Sequence, residues 1–128
     1  NLSNAKAATE SRLKLSCSNA ITAGKESLAL VSAHTYPTTA QDQSNLSSVV
    51  LAAQVHGDLA SPYKFWCADS AGIWARRNHS AEQIMIVGDA VLTHVSDQQN
   101  HYEIKLAEVE MVAALPTPTQ ADFDAVVW

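Results

Sequence analysis

Five histidines supply the side chains best suited to holding a metal ion, and their spacing decides whether they could share one. They are His34, His56, His79, His94 and His101. Only His94 and His101 fall on one predicted helix face, where two helical turns separate them by about 10 Å. Both imidazoles would need to lie about 2 Å from a common Zn²⁺ ion, which that distance prevents. We therefore predict no metal site and no cofactor, and interpret the histidines as solvated or capping side chains.

Residues for nucleophilic or acid–base catalysis are plentiful, but they lack the patterns that catalysis needs. Serine, histidine and aspartate all recur, yet the chain has only four glycines and contains no Gly-x-Ser-x-Gly turn and no glycine-rich phosphate loop. Asp58 and Asp69 could be imagined as an acid–base pair, but Asp69 lies where a hairpin turn favours aspartate for local backbone bonding. The sequence predicts no catalytic residues and a protein that is not an enzyme.

Two cysteines, Cys17 and Cys67, stand 50 positions apart, and neither belongs to a Cys-x-x-Cys pair. Free cysteines commonly behave as small buried hydrophobic residues, and this is the interpretation we favour. A bridge between the two stays open as the alternative, and it would require an oxidising compartment.

An aromatic-rich segment predicts the one confident β element of the chain. Two extended stretches flank turn-forming residues at Asp69–Gly72, which indicates a hairpin at about 62–77. Because strand residues alternate between faces, Phe65 and Cys67 share one side and Trp66 points to the other. We expect core packing for this cluster, whereas an exposed Trp66 would be an interface anchor. The alternative is a ligand platform formed by Tyr63, Trp66 and Asp69.

The composition limits the class of protein. The chain has 128 residues, of which 47% are apolar and 16% charged, and its net charge is −5. That balance suits one ordinary folded domain and excludes a disordered acidic tail. A nucleic-acid-binding protein would be expected to carry a basic face, and a membrane span needs an apolar run of ~18–20 residues, so we predict neither partner. Because the chain begins at Asn1 without an initiator methionine, we expect it to be a piece of a longer protein.

Four helices and one hairpin are predicted to position these residues. Apolar residues at three- and four-residue steps indicate an N-terminal helix that ends at Gly24 and a second helix that ends at Gly57. The segment Lys25–Val31 between them could be a turn or a strand. The predicted fold is α+β and mostly α, with one domain over 1–115 and a proline-containing linker with a short terminal helix over 116–128.

The third helix is the longest predicted element. Ser80 and Gln83 form a capping-box pattern, and an apolar stripe continues without proline as far as Pro116. A helix of about 34 residues would be about 50 Å long, whereas a domain of this size is about 28 Å across. Unless the helix breaks near Gly88 or at 96–100, part of it must project, and neighbouring molecules must cover its stripe. The predicted interface residues are Val95, Tyr102, Leu106, Val109 and, at the chain terminus, Trp128.

Short motifs along nearly the whole chain occur in an order that resembles a family of bacteriophage and prophage tail proteins. They are similar to the C-terminal region of tail-fibre or tail-fibre-assembly proteins that carry a domain of unknown function. The order and spacing of the set, rather than any one motif, carry the resemblance. The stretches are Cys17–Gly24 with Ser27 and Leu30, His34–Pro37, Asp42–Leu46, Phe65–Asp69 with Gly72–Trp74, His79–Ile84 with Val87, and Trp128.

The resemblance implies a non-enzymatic phage tail component that acts through protein–protein contacts. It would be made in the host bacterial cytoplasm and then be incorporated in the virion tail or used to build it. Its partners would be other tail proteins or further copies of itself, and a trimer is plausible because fibres commonly pack three helices around an axis. The alternative is a receptor- or glycan-binding tip module that uses the aromatic platform, and a small enzyme ranks last.

Overall fold

A computed structural model describes all 128 residues, which form four α-helices, four β-strands and one short 3-10 helix. The residues divide into two compact units, one made of 21–95 and the other of 1–20 with 96–128. We call them the sheet unit and the helical unit. In chain order the elements are α1 (Leu2–Thr22), β1 (Lys25–Leu30), β2 (Ser32–Tyr36), α2 (Ala40–His56), the 3-10 helix Gly57–Ala60, β3 (Tyr63–Ala68), β4 (Trp74–His79), α3 (Ala81–Ala113) and α4 (Gln120–Asp124).

The sheet unit is built on an antiparallel sheet with the strand order β1-β2-β3-β4. Every second side chain of these strands points to one face of the sheet. The helix α2 and the 81–95 part of α3 pack against that face. The intervening side chains, most of them exposed, point to the opposite face. The core between sheet and helices consists of Ala29, Tyr36, Leu46, Ala53, Tyr63, Phe65, Cys67, Ala81, Ile84, Val87 and Val91.

Both helices of this unit begin at side-chain caps. At the start of α2, the Thr39 hydroxyl accepts from the Asp42 amide, and the Asp42 carboxylate accepts from the Thr39 amide. At the start of α3, Ser80 and Gln83 form the same pair of bonds at 3.1 and 2.8 Å, which confirms the predicted capping box. These bonds satisfy backbone amides that the first turn of a helix leaves without partners.

The turn between β1 and β2 holds Val31 in a conformation that valine rarely adopts. Its φ is +78°, in the left-handed region that costs an L-residue roughly 1–2 kcal/mol, and 88% of its surface is exposed. Glycine enters that region freely but loses roughly 0.5–1 kcal/mol more chain entropy on folding. We expect Val31→Gly to raise the free energy of unfolding by about 0.5–1 kcal/mol in urea denaturation. Ser32→Gly, at an ordinary φ, should lower it, and a destabilised Val31→Gly would contradict the prediction.

The helical unit packs the 2–20 part of α1 against the 96–113 part of α3 and the C-terminal segment. Arg12 on α1 donates to the Val126 carbonyl at 2.8 Å, and α4 begins at a side-chain cap, where Thr119 and Asp122 exchange hydrogen bonds. Every fourth residue on one face of α1 is buried, as packing on another helix requires: Ala5, Thr9, Leu13 and Cys17. The core of the unit consists of Ala5, Leu13, Val109, Phe123 and Val126.

The predicted fold class is confirmed, because the chain is α+β and mostly α with a hairpin, a long C-terminal helix and a short terminal helix. The segment Lys25–Tyr36 forms a second hairpin, which joins the first where Thr35 pairs with Ala68. The sheet therefore has four strands rather than the two of the predicted hairpin. The long third helix is confirmed as one element, because α3 includes both Gly88 and 96–100, where a break was the alternative.

Cys17 and Cys67 are both buried free thiols, so the structure contains no bridge between them. None of the four helices combines the length and the apolarity that crossing a bilayer requires.

Candidate functional site

The sheet unit exposes two tryptophans on the sheet face that its helices leave uncovered. On β3, Phe65 and Cys67 are buried against the helices, whereas Trp66 between them is 53% exposed. On β4, Trp74 is 49% exposed. Large apolar side chains held half in water at neighbouring positions are typical of a contact surface for another molecule.

The strand register places both indoles on the same face. Ala68 pairs with Trp74 and Trp66 pairs with Arg76, and directly paired residues point to the same side of a sheet. Trp66 and Trp74 are therefore diagonal neighbours about 7–8 Å apart, next to the small side chain of Ala68. Paired residues extend this face across β2 and β1, since Ala68 pairs with Thr35 and Thr35 pairs with Glu26. We call this surface the tryptophan face, and its members are Glu26, Thr35, Lys64, Trp66, Ala68, Trp74, Arg76 and Asn78.

Side-chain hydrogen bonds hold the loop that joins β3 to β4. The Asp69 carboxylate accepts from the amides of Ala71 and Ile73, both at 3.0 Å, and the bond from Ile73 is the main cause that lowers the pKa of Asp69. Arg77 donates to the Ile73 carbonyl at 3.0 Å and lies 3.4 Å from the Asp69 carboxylate. These bonds hold the loop in one conformation at the point where Trp74 begins β4.

The structure does not bring the predicted ligand platform together. Trp66 is exposed, so the expectation that it packs in the core is wrong. Tyr63 lies on the opposite face of the same strand and donates its hydroxyl to the Gly57 carbonyl at 2.6 Å, while Asp69 is engaged by the loop amides. Trp74 is the residue that joins Trp66 instead. The register of the hairpin could have indicated that Trp74 lies beside Trp66, since the turn determines which residues of the two strands face each other.

The predicted interface residues lie mainly against the chain's own cores. Val109 has no exposed surface, and Tyr102 and Trp128 pack against the cluster that contains it in the helical unit. Leu106 on the same stripe is half-buried, and Val95 packs on the core of the sheet unit. The stripe on the 96–113 part of α3 is thus largely covered by α1 and the C-terminal segment, which removes the reason for expecting a neighbouring molecule there.

Tyr36 and His79 form a buried hydrogen-bonded pair in the core of the sheet unit. The Tyr36 hydroxyl lies 2.7 Å from Nε2 of His79, while Nδ1 faces the carbonyls of Arg77 and Tyr63 at 2.8 and 3.3 Å. Because a carbonyl can only accept, Nδ1 carries the proton and Nε2 accepts from Tyr36. The two side chains are 0% and 1% exposed, so the pair presents no surface to a substrate. No three His, Cys, Asp or Glu side chains are arranged to hold a metal ion.

The burial of His79 makes stability depend on pH. Burial lowers the pKa of His79 below its ordinary value of 6.5, so the unfolded chain takes up this proton first, and stability falls as the pH drops below about 6.5. We expect a smaller free energy of unfolding at about pH 5 than at about pH 7.5 in urea denaturation. His79→Gln should flatten this dependence and the exposed-site variant His56→Gln should retain it, whereas equal slopes in both would contradict the assignment. The pKa of Asp69 is lowered from 3.8, so its contribution to the free energy of unfolding is lost only at a pH below the range in which His79 acts.

A family model matches nearly the whole chain. It is described as a domain of unknown function, DUF4376, and it matches residues 4–127. No curated protein matches the chain, and no solved structure matches it.

Proposed function

The chain belongs to the DUF4376 family of domains of unknown function, and we propose that it is a non-enzymatic phage tail module that binds other tail proteins through its tryptophan face. The observation that carries the proposal is the exposure of Trp66 and Trp74 on an uncovered face of the sheet. Tryptophan and arginine are the residues that most often dominate the energy of protein–protein contacts. Arg76 lies directly opposite Trp66 on the same face, so both residue types are present.

The form of this face suits a protein surface better than a small molecule. Small-molecule sites are concave and enclose most of their ligand, whereas the two indoles stand on regular neighbouring strands. Further apolar side chains of the sheet unit are exposed, with Leu28 on β1 at 67% and Ile73, the residue before Trp74, at 61%. A partner protein could cover these side chains together with the indoles.

The edges of the sheet are less suited to binding than its face. The outer strand β4 carries Arg76 and Arg77, and the other outer strand, β1, is interrupted by an irregularity between Ser27 and Leu30. Charges and bulges on edge strands discourage pairing with an added strand. Contact through side chains of the open face is therefore the favoured binding mode.

The tail assignment rests on the ordered motifs that resemble tail-fibre and tail-fibre-assembly proteins. Under this proposal the chain is made in the host cytoplasm and meets its partners while the virion tail is built. Mass spectrometry of purified virions then separates two roles. A virion component is present in the particle, whereas an assembly factor is found only in the lysate of the producing cell.

A surface glycan is the second candidate ligand for the same face. Indole rings can stack on the apolar faces of sugars, and Lys64 and Asn78, which pair with each other, add hydrogen-bonding groups beside Trp66 on this face. That arrangement would make the chain a receptor-binding tip module. Glycan binding would use the same residues as protein binding, so the test must tell a bound glycan from a bound protein.

Photo-crosslinking from the tryptophan face provides that test. A photoreactive phenylalanine analogue replaces Trp66 or Trp74 in the bacterium that assembles the virion, and Leu15, which is 62% exposed on α1, is the control site. We expect cross-links from positions 66 and 74, and none from position 15, to another protein of the same virion tail. Cross-links to a glycan would favour the second candidate. Equal products from all three positions, or none, would overturn the proposal.

A further inference from the structure

The strands carry a large share of the positive charge of this acidic chain. The net charge is −5, yet four of the eight lysines and arginines lie on strands, whereas Glu26 is the only one of the 13 aspartates and glutamates that does. The acidic excess is therefore carried by the helices and loops, and the sheet has the opposite sign. The four cations of the strands are Lys25, Lys64, Arg76 and Arg77.

Two of these cations belong to the tryptophan face, and the chain does not compensate their charge. Lys64 and Arg76 are both exposed, and neither takes part in an ion pair. Because side chains alternate along a strand, Arg77 points to the other side of β4, where it lies 3.4 Å from the Asp69 carboxylate. Lys64 and Arg76 are thus available to an anionic group of another molecule.

The strand register makes these cations alternate with the indoles. Lys64 lies two residues before Trp66 on β3, and Arg76 pairs with Trp66. Arg76 in turn lies two residues after Trp74 on β4. Each step of this path is about 5–7 Å, since strands rise about 3.3 Å per residue and lie about 4.8 Å apart. A molecule that covers both indoles therefore also meets both cations.

No acidic side chain lies among the β3 and β4 members of the tryptophan face. Glu26 is on β1, two strands away from β3, which corresponds to roughly 10 Å. The Asp69 carboxylate follows β3, but the loop amides and Arg77 already engage it. Charges are screened over about 8 Å at physiological ionic strength, so the local cations outweigh the net charge of the chain in selecting what binds here.

We propose that the tryptophan face binds a partner protein surface that presents carboxylates beside apolar side chains. Lys64 and Arg76 bind the carboxylates, and Trp66 and Trp74 cover the apolar side chains. The planar guanidinium of arginine suits this role because it can donate two parallel hydrogen bonds to one carboxylate. This inference rests on the proposed function, since it specifies the chemistry of the partner at the same face.

The charges favour an acidic protein over a nucleic acid. A nucleic acid carries a phosphate at every nucleotide and binds a basic patch or stripe. The tryptophan face offers two cations with Glu26 at its far end, and the helices and loops carry the acidic excess. A protein surface with a few carboxylates can match the two cations without bringing a long row of negative charge to the chain.

Two synthetic peptides of opposite charge test the proposal against the full chain. One repeats Glu-Leu-Glu-Ser three times and the other repeats Lys-Leu-Lys-Ser three times, so the two share their apolar side chains. Binding is followed by NMR from the indole N–H signals, which Trp66→Thr and Trp74→Thr assign, with Trp128 in the helical unit as internal control. We expect the acidic peptide to shift the signals of Trp66 and Trp74 with an affinity at least about 10-fold higher than that of the basic peptide.

Charge reversal on the face is the second part of the test. Arg76→Glu replaces attraction by repulsion and should weaken the acidic peptide by about 5-fold or more. Lys14→Glu is the matched control, because it makes the same change in net charge at an exposed lysine of α1, and its affinity should stay within about 2-fold of the wild type. Circular dichroism checks folding, and Lys64→Glu serves as the second variant.

Three results would overturn the inference: equal shifts of the two indole signals by both peptides, undiminished binding of the acidic peptide to Arg76→Glu and Lys64→Glu, or equal weakening by Lys14→Glu. A single-stranded oligothymidylate that shifts the same signals at lower concentration than the acidic peptide would also overturn it, in favour of a nucleic acid. Each of these outcomes concerns the charge of the partner alone. Cross-links from positions 66 and 74 test the proposed function separately.

Discussion

Replacing both Trp66 and Trp74 with threonine is expected to weaken binding of the proposed tail partner by roughly 1,000-fold while stability changes little. Each central indole contributes at least about 2 kcal/mol when it anchors an interface, which corresponds to roughly 30-fold in affinity. Both side chains are half-exposed in the free chain, so little core packing is lost. Threonine keeps a residue type that fits strands well, which preserves the sheet.

The measurement is a titration of each variant with the tail protein identified by cross-linking. Leu15→Ala is the control, since it removes an equally exposed apolar side chain from α1, and its affinity should match that of the wild type. Fluorescence gives a second readout, because the chain has three tryptophans and the double variant keeps only Trp128. A double variant that binds as tightly as the wild type would exclude the tryptophan face as the contact surface.

The helices could be predicted because their signals are local. Ser80 and Gln83 lie three residues apart and bond to each other's backbone amides, so the pattern and the structure it specifies lie within one turn. The alternation of β3 is equally local, and it correctly placed Phe65 and Cys67 on one side with Trp66 on the other. These features depend on residues close in the chain and need no knowledge of the tertiary fold.

The features that could not be predicted depend on residues far apart in the chain. The β1–β2 hairpin buries Ser27 and His34, so polar residues occupy core positions and no apolar alternation marks its strands. Both sides of β3 carry apolar side chains, and only the placement of α2 and α3 decides that Trp66 faces water. The stripe around Val109 is covered by α1 and the terminal segment, about a hundred residues and about fifteen residues away along the chain.

Removing one hydroxyl group from the core of the sheet unit, by Tyr36→Phe, is expected to lower the free energy of unfolding by about 1–3 kcal/mol, the cost of a buried polar group that loses its partner. The Tyr36 hydroxyl is the donor that satisfies Nε2 of His79, and no water can reach that nitrogen because His79 is 1% exposed. The aromatic packing survives, since phenylalanine keeps the ring that stacks on Phe65 at 6.5 Å between centroids. The loss therefore measures the hydrogen bond rather than a cavity.

Tyr63→Phe is the matched control for this prediction, because it removes the same hydroxyl from a neighbouring strand. Its acceptor, the Gly57 carbonyl, belongs to a half-exposed residue, so water can replace the lost donor and the cost should stay at or below about 1 kcal/mol. Urea denaturation of both variants at about pH 7.5, above the ordinary pKa range of histidine, gives the comparison. If Tyr36→Phe costs no more than Tyr63→Phe, then Nε2 of His79 does not depend on Tyr36, and the assignment of its proton to Nδ1 loses its support.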